Sequence, residues 1–178
     1  MNLPAGSPVE LGINLKEVDL KGTLNNFFTA NFSGYACVTI DGYDGVEEGV
    51  IVFKAGHPIA FSYSYLKHDK NLSGVQALPR AFNAFRARNG VMDVFATTKE
   101  QLELILSFNS DAVLKQVLTQ DELDRLTGAP YTEGYAVQVL GRKEEISKRD
   151  VLKKYGLSSV EGGGAKPLSK SAAKSVPS

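Results

Sequence analysis

Three strand-like stretches between residues 35 and 65 are separated by two short turns, and this spacing is what most constrains the fold. The first turn, at residues 41–45, contains two Asp-Gly pairs, and the second is the sequence AGHP at 55–58. A parallel crossover needs a dozen or more residues, which neither turn provides. The sequence therefore predicts an antiparallel β-meander in which Gly56 supplies an unusual backbone dihedral and Pro58 begins the third strand.

Large and small residues alternate along the third stretch, which is typical of a strand with two different faces. The large residues that would share one face are Ile59, Phe61, Tyr63 and Tyr65. Such a stripe belongs in a hydrophobic core, and if it were not core it would suit a homodimer interface. The sequence leaves both alternatives open.

Helical periodicity flanks the meander on both sides. We expect a helix after Asp19, a second from Ser73 to about Arg88, one after the capping box at 98–101, one capped by Ser110, and a short one at 120–126. A fourth strand is predicted at 91–96. The predicted fold is α+β, with an antiparallel meander of about four strands covered on one face by helices.

The sequence pattern changes after Pro130. Residues 1–130 are predicted to form the main α+β domain, and residues 131–156 an appendage with a lone strand at 135–140 and a charged helix at 147–155. Residues 157–178 are rich in Gly, Ser, Ala and Lys and contain few large apolar residues, so they are predicted to be a disordered tail.

Composition excludes several classes of protein. The net charge is zero, which gives no general attraction to nucleic acid or to an anionic membrane. No apolar run approaches the roughly 18 residues of a membrane span, and the N-terminus does not resemble a signal peptide. Cys37 is the single cysteine, so no internal disulfide and no thiolate zinc site are predicted. The sequence predicts a cytoplasmic protein.

Motifs for catalysis or cofactor binding are not evident. His57 lies in a turn and His68 in a polar loop, and neither has a neighbouring partner suited to acid–base catalysis or zinc binding. The acidic residues at 41–48 do not fit a calcium loop, and the glycines at 162–164 lack the spacing of a phosphate loop. We therefore predict no catalytic residue, no metal site and no cofactor.

A basic segment at residues 54–88 is more informative, with six Lys and Arg residues against one acid. Basic and aromatic side chains together suit a protein interface, or the backbone and bases of RNA or single-stranded DNA. A solvated helix face over a core tyrosine stripe would give the same pattern. The predicted partner-binding residues are Tyr63, Tyr65, Lys67, His68, Lys70, Arg80, Arg86 and Arg88.

Four glycine-containing segments carry a resemblance to a known family. They are FSGY at 32–35, GVIVFKAGHPIA at 49–60, GVQAL at 74–78 and NGVMDV at 89–94. This pattern resembles the PATAN module, a small α+β domain of bacterial signalling proteins. It is also similar to a family of uncharacterised archaeal proteins with the same core, often followed by a segment like VLKKYG at 151–156.

The resemblance implies a non-catalytic adaptor. PATAN-like modules act by binding partners, among them motility or secretion ATPases and components of small-GTPase circuits. The glycines and apolar positions of the pattern determine the fold, so no catalytic residue carries over. The polar loop at 66–73 and Pro79 depart from the family pattern.

Overall fold

The computed structural model describes residues 1–142 of the 178-residue chain, which form one compact unit around a six-stranded antiparallel sheet. The strands are β1 Ser7–Asn14, β2 Gly34–Gly42, β3 Gly45–Lys54, β4 His57–Tyr65, β5 Lys70–Ser73 and β6 Gly90–Ala96. Their order in the sheet is β1-β6-β2-β3-β4-β5. The α-helices are α1 Leu20–Thr29, α2 Gly74–Ala84, α3 Lys99–Phe108, α4 Gln120–Gly128 and α5 Gly134–Leu140. None of these helices is long and apolar enough to cross a membrane.

The predicted meander is confirmed as β2, β3 and β4. The turn between β3 and β4 contains only Ala55 and Gly56, and both have positive φ, +51° and +81°. Two positive φ angles in succession match the right-handed twist of the flanking strands. The predicted role of Gly56 is therefore confirmed, and the AGHP segment is a hairpin corner.

The prediction of about four strands is wrong by two, because β1 and β5 form the opposite edges of the sheet. β1 carries Val9, Leu11 and Ile13 in alternation, a signal that was readable in the sequence. β5 has only four residues within the segment predicted to be a loop. Its length gives no periodicity to detect, and it exists because β4 offers an edge to pair with.

Helices cover both faces of the sheet. The prediction that they would cover one face is therefore wrong. On one face, Phe61 and the tyrosines of β4 pack with Phe82 of α2 and with Phe85, which caps its C-terminus. On the other face, Leu102 and Ile105 of α3 pack with Val50 and Val52 of β3. The sheet is thus buried between helices over its central strands.

The large-residue stripe of β4 is core, so it is not available as a homodimer interface. Phe61, Tyr63 and Tyr65 are buried. Ile59 leaves the stripe because the register between β3 and β4 shifts, which places Ala60 opposite Val52 and Pro58 opposite Phe53. Ile59 instead packs in the cluster under α3. A bulge of this kind reverses the side to which the extra residue points.

Two predicted elements after residue 109 differ in the structure. The helix expected after Ser110 is a single 3-10 turn, Ser110–Ala112. Within the described part of the chain, β5 pairs only with residues 62–65, so it leaves the start of β4 open. There, the Leu114 N–H donates to the Ile59 carbonyl at 2.8 Å. This pairing holds the segment extended despite its helical apolar spacing.

The lone strand expected at 135–140 is helix α5. Val137 and Val139 favour strands, but helical spacing places buried Ala136 and the partly buried Leu140 against the core. Residues 131–142 therefore pack within the same compact unit as the sheet, beyond the predicted boundary at 130. The predicted charged helix at 147–155 and the predicted tail at 157–178 lie outside the described residues.

Candidate interaction surface

The two tyrosines of the predicted surface are buried. Tyr63 and Tyr65 are each 2% exposed and lie in the core on the face covered by α2. Neither ring is therefore placed to contact a partner protein or to stack on a base in this structure. The sequence showed their alternation and could not show that α2 covers their face.

Lys67 and His68 lie on the 3-10 turn that follows β4 and contact the tip of the β2–β3 hairpin. The Lys67 ammonium donates to Asp44 Oδ1 at 2.8 Å, and His68 Nε2 lies 2.9 Å from Asp44 Oδ2. These side chains tie two loops together. Lys70, on β5, is exposed.

Arg80 and Arg86 connect α2 to the C-terminal helices. The Arg80 guanidinium donates to the Gln76 carbonyl at 2.7 Å and lies 5.5 Å from the Tyr135 ring centre. Arg86 donates to the Leu126 carbonyl of α4, and burial lowers the pKa of its guanidinium. Arg88 is exposed beyond the end of α2. The eight predicted residues are thus dispersed among the core, two loops and an interhelical contact.

A groove of about 900 Å³ opens between α2, the extended segment at 113–118 and α4. Its apolar lining includes Val75, Leu78, Pro79, Val113, Val117 and Leu126. Val75 is 75% exposed and Val117 is 63% exposed, one on each side of the groove. Large apolar side chains exposed together along a concave surface are typical of a docking site.

Two backbone features shape the walls of this groove. Pro79 lies inside α2 and has no N–H, so the Val75 carbonyl lacks its usual helical partner. On the opposite wall, pairing of Val113 and Leu114 with β4 keeps the chain extended. The effect of Pro79 is local, whereas the pairing with β4 is a long-range effect that the sequence pattern of residues 113–118 does not show.

The acidic and basic residues that line the groove differ in the interactions they make within the chain. The acids already accept hydrogen bonds: Asp111 from Ser73 Oγ at 2.5 Å, and Glu122 from Thr119 N–H at 2.8 Å. The Thr119 bonds, with a smaller contribution from Arg125, lower the pKa of Glu122. Among residues 1–142, the three cations of the lining form no ion pair within 4 Å; they are Arg86, Lys115 and Arg125.

A second, smaller groove of about 270 Å³ lies between α1, α4 and the β3–β4 corner. Lys21 and Asp124 form an ion pair of 2.9 Å across it. The His57 ring is half-buried and meets the exposed Phe28 ring edge-on at 5.2 Å. His57 therefore packs on α1 as part of the hairpin corner.

Glu47, one of the acidic residues at 41–48, is a buried carboxylate. It is 5% exposed and accepts hydrogen bonds from the Tyr63 hydroxyl at 2.6 Å and the Tyr43 N–H at 2.8 Å. Gly42 makes room for it, since a Cβ there would lie 2.2 Å from the Glu47 carboxyl carbon. The sequence signal for this burial was the alternation along β3, which places Glu47 on the same face as the core residues Ile51 and Phe53.

Several buried acidic protons predict a loss of stability in alkali. Burial raises the pKa of Cys37 to about 12, with smaller effects of Glu48 and Asp93, and burial raises the pKa of Tyr131 to about 12. Burial and the Glu47 hydrogen bond raise the pKa of Tyr63. A raised pKa means that the native state keeps a proton that the unfolded chain loses, so the stability is fully present below about pH 9 and falls above it.

We expect the free energy of unfolding, measured by urea titration, to fall between about pH 9 and 12 by up to about 1.4 kcal/mol per pH unit for each such proton. The variant Tyr63→Phe should show a shallower fall above about pH 10, where an unfolded tyrosine begins to ionise. Identical slopes for the variant and the parent chain would contradict the assignment to Tyr63.

Within residues 1–142, no group of three or more His, Cys, Asp and Glu side chains is placed to hold a metal ion. The architecture is that of an α+β domain with an antiparallel sheet between helices and a groove beside α2. The chain belongs to the family described as an uncharacterized protein conserved in archaea (DUF2226), which matches residues 1–109. Searches of curated proteins and of solved structures gave no match. The family match includes the α2 wall of the groove, and the wall formed by residues 113–128 follows it.

Proposed function

We propose that this chain is a non-enzymatic interaction module, an adaptor that binds a partner protein through the groove between α2 and α4. The observation that carries this proposal is the exposure of Val75 and Val117 on opposite sides of a groove of about 900 Å³. Apolar anchors in a concave surface, with polar residues around them, are the usual basis of peptide recognition. The proposed surface retains Arg86 of the predicted partner-binding residues. Its exposed apolar residues are Val75 and Val117 in place of the buried tyrosines.

We also propose a PATAN-like relationship, which supports the same function. The glycines that carry the resemblance occupy positions with little room for a side chain. A Cβ at Gly34 would lie 2.1 Å from the Phe95 carbonyl oxygen, one at Gly90 would lie 2.6 Å from the Thr39 carbonyl oxygen, and Gly74 has φ +55°. A shared core would make cytoplasmic assemblies built on ATPases or small GTPases the first partners to examine.

Site-specific photo-cross-linking tests the proposed function. A benzoylphenylalanine at position 117 should capture a partner in nuclease-treated native lysate, because this side chain stands at the groove. The matched control places the same group at Val9, which is exposed on β1 far from the groove lining. Adding Val75→Glu should abolish capture at 117, since it puts a charge in the apolar wall.

Three outcomes would contradict the proposal. One is equal capture from positions 117 and 9, which would indicate contact without a preferred surface. Another is capture that is unchanged by Val75→Glu, which would indicate that the groove is not used. The third is capture that disappears with nuclease, which would move the assignment to RNA or single-stranded DNA binding. Circular dichroism of each variant checks that the fold is retained.

A further inference from the structure

We infer that the occupant of this groove is an amphipathic α-helix of a partner protein whose apolar stripe is flanked by acidic residues. This inference rests on the proposed function and adds the chemistry of the partner to it. Two independent features of the groove carry it: the kind of backbone that its walls can accept, and the state of its charges.

The walls favour a helix over an extended strand. A strand adds to a sheet by pairing with a row of unpaired backbone groups. Apart from the Val75 carbonyl, which Pro79 leaves without its usual donor, the backbones of α2 and α4 are bonded within their own helices. The segment between them pairs with β4 through Val113 and Leu114. The groove therefore presents mainly side chains, which a helix reads with apolar residues spaced three and four apart.

The charges favour acidic residues beside that stripe. Asp111 and Glu122 are used as hydrogen-bond acceptors by Ser73 and Thr119 of this chain. Lys115 and Arg125 are exposed, and neither forms an ion pair with a described residue. The third cation, Arg86, donates to a backbone carbonyl. The lining thus has three cations and two carboxylates, and a partner helix with glutamates on both sides of its apolar stripe would balance the excess positive charge.

Two designed peptides of about 18 residues test this, a length at which helix formation on binding is feasible. Both carry leucines at positions i, i+3, i+4 and i+7, one with glutamates and the other with lysines flanking the stripe. Titrated with the full chain and followed by fluorescence anisotropy, the acidic peptide should bind about tenfold or more tightly than the basic one. Its affinity should fall as salt rises from about 50 to 300 mM, and its helicity should increase on binding.

Charge reversal in the chain provides the decisive comparison. The double variant Lys115→Glu/Arg125→Glu should lose about tenfold in affinity for the acidic peptide and gain affinity for the basic one. The control Lys54→Glu/Lys70→Glu reverses two exposed cations outside the groove lining and should leave both affinities unchanged. A swap of preference supports the inference because loss of fold would lower both affinities together.

The inference is overturned if neither peptide binds, if both bind equally, if the charge reversal has no effect, or if the acidic peptide binds without gaining helicity. Failure of the inference is distinguishable from failure of the proposed function. Cross-linking at position 117 that still depends on Val75, together with peptides that do not bind, would mean that the groove takes a partner of different chemistry. Loss of both results would remove the groove as a docking site.

Discussion

Gly56→Ala should lower the free energy of unfolding by about 3 kcal/mol or more, the sum of a backbone strain and an overpacking cost. Gly56 has φ +81°, and a Cβ there would lie 2.3 Å from the Phe28 Cα and 2.7 Å from the Phe27 carbonyl oxygen. These are backbone atoms of α1, so no side-chain rotation relieves the overlap. The Gly56 N–H also donates to the Phe32 carbonyl at 2.7 Å, which fixes the turn on the end of α1.

Substitutions at two other glycines separate the cost of backbone strain from the cost of steric overlap. Gly12 also has positive φ, +67°, but no atom of the described residues lies within 4 Å of its Cβ position, so Gly12→Ala should cost only about 1–2 kcal/mol. Gly128 has neither feature, and Gly128→Ala should change stability by no more than about 0.5 kcal/mol. Chemical denaturation of the three variants gives the comparison. If Gly56→Ala costs no more than Gly12→Ala, the hairpin corner does not pack on α1 as described.

Removing either member of the Glu47–Tyr63 pair should lower the free energy of unfolding nearly as much as Gly56→Ala does. Glu47→Leu leaves the Tyr63 hydroxyl and the Tyr43 N–H without their buried acceptor, and we expect a loss of about 3 kcal/mol. Tyr63→Phe removes one donor from a carboxylate that is 5% exposed and should cost about 2 kcal/mol. The two groups stabilise the fold mainly by satisfying each other inside the core.

A double-mutant cycle measures that coupling. The chain carrying both Glu47→Leu and Tyr63→Phe should lose at least about 1 kcal/mol less than the sum of the single losses, because the tyrosine hydroxyl no longer needs an acceptor. Glu48→Gln, at the adjacent position of β3 and on the other face, is the matched control and should cost about 0.5 kcal/mol or less. Additive losses in the cycle would show that the two side chains do not interact.

The elements predicted correctly from the sequence are those whose cause is local. The turn at Gly56 and the capping box of Thr98 and Gln101 depend on neighbours within four residues, and both are present as expected. The strand assigned to 135–140 is wrong because Val137 and Val139 indicate a strand locally, whereas Ala136 packs in the core. In that segment, tertiary packing overrides the local preference for a strand and the residues form a helix.

The candidate site depended on contacts distant in sequence. Arg86, which the proposed surface retains, donates to the Leu126 carbonyl, forty residues away in the chain. Lys67 and His68 were placed on the predicted surface, and both contact Asp44 on an earlier hairpin. Periodicity shows which residues share a face and not which element covers it. The sequence therefore left the burial of the tyrosines as one of two alternatives and gave no sign of the groove.

The strand order of the sheet has a consequence for synthesis. Among the strands of residues 1–142, β1 pairs only with β6, and Ser7 lies opposite Ala96, so the N-terminal strand cannot pair in this sheet until β6 has left the ribosome. At about 5–20 residues per second, that interval is roughly 5–15 seconds. During it, Pro8 and Glu10 make β1 a poor template for pairing with a neighbouring nascent chain. The first strand of the sheet to be translated is thus among the last to join it. Pro8 and Glu10 reduce its tendency to pair with another chain during this interval.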